Sequence, residues 1–145
     1  MVEFAIAASI FFMLLFSLAA GGVFFWTHNG LVEATRRGSR YAATVSKTGT
    51  KTAIRNMAVY GNTAGTGRSI VPHLTASNIA VRHSSTFGVN KGTVSVAICT
   101  AASDDEDNDC TPYTYDFVIP GMSLQDIAMP SYRTTFAGES AGFTP

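Results

Sequence analysis

The chain has 145 residues with 10 basic and 10 acidic side chains, a formal net charge of zero and a pI near 6.8. That length bounds one modest domain plus something elongated, and the missing basic excess argues against nucleic acid as a partner. Charged residues make up 14% of the chain, against roughly 25% in ordinary soluble domains, and the mean hydropathy is +0.18. Much of the apolar excess sits before residue 27, and the remainder is rich in Ser, Thr, Gly and Ala.

The first element is the run MVEFAIAASIFFMLLFSLAAGGVFFW, which has no charged side chain from Phe4 to Trp26. As a helix rising about 1.5 Å per residue it would reach about 35 Å, enough to cross a bilayer core. A cleavable secretory signal fits poorly, because Glu3 stands where a basic region belongs and the run continues past Ser17-Leu18-Ala19. A plain membrane anchor explains the length but not Glu3. The third reading gives the helix two environments, first a membrane and then a filament of its own copies. Glu3 can then pair with the α-amino group of Met1, its own or a neighbour's. In a dry helix bundle a paired charge is tolerated, and the pair acts as a register device. Small residues (Ala5, Ala7, Ala8, Ser9, Ser17, Ala19, Ala20, Gly21 and Gly22) suit close helix packing, although alanine suits any helix. Candidate packing positions are Phe4, Ala8, Phe11, Phe12, Leu15, Leu18, Gly22 and Phe25. Gly21-Gly22 is a soft point, since glycine costs about 1 kcal/mol against alanine in a helix.

Beyond Trp26 the helical pattern continues through Leu31, Ala34, Tyr41 and Val45, then Ile54, Met57 and Ala58. Asn29-Gly30 is a turn signal within it. The spacing predicts one long helix from about residue 2 to about 60, bent or straight, ended by Gly61-Asn62 and the glycines at 65 and 67. The expected domains are therefore 1–61, a long helix, and 62–145, a β-rich head. Arg36, Arg37 and Arg40 form a basic cluster, and positive charge after a span normally stays in the cytoplasm. The cysteines described below argue for the opposite side. A basic leader removed by processing would reconcile the two.

The opening VEFAIAASIFFMLLFSLAAGGVFFW and the later EATRRGSRYAA together resemble the N-terminal region of TadE-like proteins, pseudopilins of the tight-adherence (Flp-type) pilus machinery of bacteria. Val2, Glu3, Phe4 and Ala5 match the opening, and Glu33, Ala34, Arg37, Gly38, Arg40, Tyr41 and Ala42 match the second part. The resemblance is strong from residue 2 to about 45 and weak afterwards, although IAMPSYRTTFAGES is similar in type to the family's closing strand. It implies a prepilin-type precursor whose basic leader a dedicated peptidase removes after a glycine. It also implies an inner-membrane stage, an assembly machinery and a place in an extracellular filament on the bacterial surface. One departure is that most pilins carry their glutamate further from the mature amino terminus than Glu3 lies from Met1. Either processing differs or Met1 is not the mature end.

Strands are expected at 78–87, 92–101, 113–119 and 126–137. Val94, Val96 and Ile98 alternate with polar residues, as do Tyr113, Tyr115 and Phe117. Asn90-Lys91-Gly92 and Pro120-Gly121 read as turns. The expectation is an antiparallel sheet of three or four strands packed on the helix. Cys99 and Cys110 flank a segment too polar for a core, which points to a disulfide-closed loop and an oxidising compartment. Within that loop Asp105, Asp107 and Asp109 alternate like the first ligands of a calcium loop. The glycine and distal glutamate of an EF-hand are missing, so a solvated acidic loop is the plainer reading.

His28, His73 and His83 are scattered and read as surface or capping residues. No nucleophile elbow or phosphate loop occurs, so neither enzymatic activity nor a cofactor is expected. The fold expected is α+β, a long N-terminal apolar helix followed by a small antiparallel β-sheet domain. The function expected is a pilin-like subunit that polymerises with itself for adhesion or surface contact. The alternative is a minor pseudopilin or single-pass envelope protein supporting a pilus made of another subunit. A third reading is a secreted or anchored binding domain that uses the acidic loop for calcium or a ligand.

Overall fold

The structure, a computed structural model, describes residues 2–45, 51–84, 93–100, 110–119 and 122–137. Its first element is a single helix α1, Val2–Thr44, of 43 residues, about 64 Å long at about 1.5 Å per residue. A second helix α2, Lys51–Tyr60, follows. Five strands complete the fold: β1 (Ile79–Ser84), β2 (Thr93–Ile98), β3 (Thr114–Ile119), β4 (Met122–Ala128) and β5 (Tyr132–Ala137). The α+β class, with a long apolar helix ahead of a small antiparallel sheet, is the one expected.

The continuous helix expected to residue 60 is instead two helices. Burial in α2 falls on Ile54, Ala58 and Val59, one stripe, and that stripe turns back onto α1. Ala58 lies against Gly38, where an added Cβ would sit 3.0 Å from the alanine methyl. Apolar stripes on both segments are satisfied by this return, whereas a straight extension would leave both in water. Gly61 ends α2 as expected. Its φ of 74° is a left-handed cap, and its N–H donates to the Met57 carbonyl at 3.1 Å.

The strands form two sheets rather than one. One has the order β1-β2-β5, all antiparallel, with Val81 opposite Val96 and Val96 opposite Thr134. The other is the β3–β4 hairpin, with a register shift between Tyr115 and Phe117. The strand expected over 126–137 breaks at Met129-Pro130-Ser131. Pro130 has no N–H for a ladder, and the chain uses the break to leave the hairpin and join β2. Alternation in β1 and β2 then sorts two faces. Ile79, Val81, Val94, Val96 and Ile98 join Leu31, Ala34, Ile54, Ala58 and Val59 in the main core. Ala80, Ala97 and Cys99 face the other way, with Cys110 against them. The expected turn at Asn90-Lys91-Gly92 lies outside the described residues.

Candidate functional site

Two stretches of α1 differ in what surrounds them. From Val2 to Trp26 no residue is buried; from Thr27 onward seven are. Phe4 is 80% exposed and Leu18 81%, whereas Leu31 is fully covered. An 18-residue window of this helix has mean hydropathy 2.2 and no buried member, so it is long and apolar enough to cross a membrane. The exposed apolar residues lie all round the helix. A helix apolar on every side belongs in a bilayer or a bundle, not in water.

Its backbone and hydroxyls suit such a place. Ser9 Oγ donates to the Ala5 carbonyl at 2.8 Å, Ser17 Oγ to Met13 at 2.7 Å and Thr27 Oγ1 to Val23 at 3.0 Å. Each hydroxyl thereby meets its need within its own helix, which an apolar solvent requires. The aromatic rings order one another along the surface. Phe11 meets Phe12 edge-on at 5.7 Å between centroids, and Phe12 stacks on Phe16 at 6.3 Å.

Of the candidate packing positions, Phe4, Phe11, Phe12, Leu15, Leu18, Gly22 and Phe25 are exposed and Ala8 is half-buried. Among the described residues none of them is buried. Gly21 and Gly22 have open space around them, and α1 runs through both without a break. Glu3 is exposed in the first turn, where a carboxylate also complements the positive end of the helix dipole. Met1 lies outside the described residues, and so do Asp105, Asp107 and Asp109. Among the described residues no three His, Cys, Asp or Glu side chains come together.

The head is built directly onto the second stretch of α1. Gly30, Ala34, Gly38 and Ala42 recur every four residues and make a groove of small side chains. At Gly30 a Cβ would meet Val71 Cγ2 at 2.7 Å, and at Gly38 it would meet Val96 Cγ1 at 3.3 Å. Gly30 therefore marks a close approach inside the helix, not the turn that Asn29-Gly30 suggested. Polar contacts fix the register of β5 on α1. The Tyr132 hydroxyl and His28 Nδ1 are 2.7 Å apart, and Thr134 Oγ1 donates to Thr35 Oγ1 at 3.1 Å. Burial pushes the Tyr132 hydroxyl above the ordinary tyrosine value. Burial also raises Tyr113, with the Asp116 carboxylate and Tyr115 adding to it. His28 is thus part of the head's attachment, a role that its isolation in the sequence concealed.

The basic cluster stays near the surface. Arg36 and Arg40 are exposed, and Arg37 sits 3.6 Å from Glu33 one turn earlier, a pair of small energetic weight. Cys99 and Cys110 form a disulfide with Cα atoms 5.3 Å apart. Beside it, Cys99 bridges Pro112 and the Thr100 N–H donates to the Thr111 carbonyl at 3.0 Å.

A bare apolar helix carrying an α+β head at one end is consistent with a protein tethered or assembled through its amino-terminal helix. Residues 1–40 match the family model described as TadE-like protein, in agreement with the resemblance read from Val2 to Ala42. The match covers 40 of 145 residues and ends inside α1, so the sheets lie beyond it. It and the bare helix are consistent with a pilin-like component of a tight-adherence pilus. No curated protein and no solved structure matches the chain.

Proposed function

We propose that the chain is a structural, pilin-like subunit, not an enzyme, which polymerises through α1 into an extracellular helical filament for adhesion or surface contact. The observation that carries this reading is the apolar stretch Val2–Trp26, in which no residue is buried. Leaving that much apolar surface in water is unfavourable by about 25 cal/mol per Å², so another phase must cover it. A bilayer covers it in the precursor, and copies of the same helix cover it in the filament. Prepilin peptidase and an assembly machinery in the inner membrane are the partners this route needs. In the filament Glu3 pairs with an α-amino group, and Phe4, Ala8, Phe11, Phe12, Leu15, Leu18, Gly22 and Phe25 pack between subunits. The disulfide supports a head on the oxidising side of the membrane. We place the functional division near residue 26, with everything from Thr27 onward serving as the displayed head.

Shearing cells that make this protein tests the proposal. A major subunit dominates the sheared surface fraction. If the chain stays in the envelope while filaments of another protein are sheared off, it is instead a minor pseudopilin that supports their assembly.

A further inference from the structure

The head-bearing half of α1 has a second face. Its buried residues, from Thr27 to Ala42, lie on the side that α2 and the sheets occupy. Opposite them Asn29, Glu33, Arg36 and Arg40 are exposed. They recur every three or four residues, so they form one stripe along the helix. α1 is one unbroken helix, and about eighteen residues make five turns. Arg40, Gly22 and Phe4 therefore share one direction, as do Glu33 and Leu15, and Arg36 and Leu18. The polar stripe thus continues a line of exposed residues in the bare half, Phe4, Phe11, Leu15, Leu18 and Gly22.

The stripe carries both signs of charge, and their spacing selects a partner. Glu33 and Arg40 are seven residues apart, about 10.5 Å along a helix. A parallel copy shifted by seven residues brings its Arg40 level with Glu33. In the bare half Phe4, Phe11, Leu18 and Phe25 also recur every seven residues, so the same shift sets large apolar side chains level with one another. Other short shifts lose one match or the other. An unshifted copy opposes Glu33 to Glu33 and Arg40 to Arg40, and a shift of four residues opposes Arg36 to Arg40. Like charges placed together are unfavourable. A shift of three pairs Glu33 with Arg36 but sets Phe25 level with His28.

We propose that the exposed stripe of α1 docks a second copy of this chain, parallel and shifted by seven residues, through an ion pair between Glu33 of one copy and Arg40 of the other. This rests on the reading of the chain as a filament subunit. Glu33 lies 3.6 Å from Arg37 of its own helix and stays exposed. One exposed ion pair adds little affinity. The bare half supplies that, and the charged stripe fixes the shift by penalising the alternatives.

Charge reversal in cells that make this protein tests it. Glu33→Arg and Arg40→Glu should each lower the yield of sheared filaments by about tenfold, because each puts like charges together. The double swap, Glu33→Arg with Arg40→Glu, should restore the yield. All three should keep the wild-type melting temperature in detergent, since both positions are exposed. Should a reversal lower that temperature, a second measurement decides alone. Chains carrying Glu33→Cys with Arg40→Cys cannot close a disulfide within one helix, because the two positions are too far apart. Non-reducing gels of their sheared filaments should show a ladder of linked copies, and either single cysteine variant should show none. Single reversals with wild-type yield, a swap that stays defective, or filaments without a ladder overturn the pair and leave the filament reading standing. A link from position 40 to a different protein, with no ladder, gives the stripe another occupant and also overturns it. If wild-type cells shed no filaments of this chain, the filament reading fails and the pair with it.

Discussion

Single residues decide how close the elements of this protein come. At Gly38 the space for a Cβ is already taken by Ala58 and Val96. Gly38→Val should therefore destabilise the head by about 1–3 kcal/mol through overpacking, read as a lower melting temperature of the detergent-solubilised chain. Gly21→Ala, where nothing lies within 4 Å, should not lower that temperature, since alanine favours the helix. The hydroxyl of Tyr132 belongs to the same register. Tyr132→Phe leaves His28 Nδ1 without its 2.7 Å partner and should cost about 1 kcal/mol in denaturant titration. Both Tyr113 and Tyr132 have hydroxyl pKa values raised by burial above the ordinary tyrosine value of 10.0. A group whose pKa is raised on folding contributes stability that is complete below the unfolded value and is lost above it. Unfolding followed against pH should thus show stability falling as pH rises past 10.0, with a shallower fall in Tyr113→Phe. The proposed register role of Glu3 predicts that Glu3→Leu blocks polymerisation or alters filament symmetry, and filaments of unchanged symmetry would remove that role.

Among the elements, those with strong periodicity were legible and their connections were not. The apolar run, the alternation of Val94, Val96 and Ile98, and the cap at Gly61 each predicted an element that forms. The return of α2 onto α1 was hidden because a helical stripe looks the same in one long helix as in two that pack together. The spacing of Gly30, Ala34, Gly38 and Ala42 was the available signal, since close helix contact needs small residues at such intervals. The split of the last strand was signalled by Pro130, whose missing N–H ends one ladder before the next begins. Which face of α1 is covered, and where coverage starts, depends on tertiary packing and is not written in hydropathy alone. The disulfide ties the end of β2 to the approach of β3 across 11 residues of sequence separation. Reducing it should cost about 3 kcal/mol, the scale for a loop of that order, and a melting curve with and without reductant would check this.

For the whole molecule, the central fact is the division of one helix between two environments. Residues after Trp26 are held by a core of Leu31, Ala34, Ile54, Val59, Val81 and Val96, while those before it await a partner that one chain does not contain. In the proposed filament, copies of the same helix supply that partner, and the account stands on it. The direct measurement is electron cryo-microscopy of filaments sheared from cells that make this protein. The account predicts density in which this chain repeats, with residues 2–26 buried around the axis and the head outside. Filaments whose lattice does not contain this chain, or contains it with α1 on the surface, would contradict it.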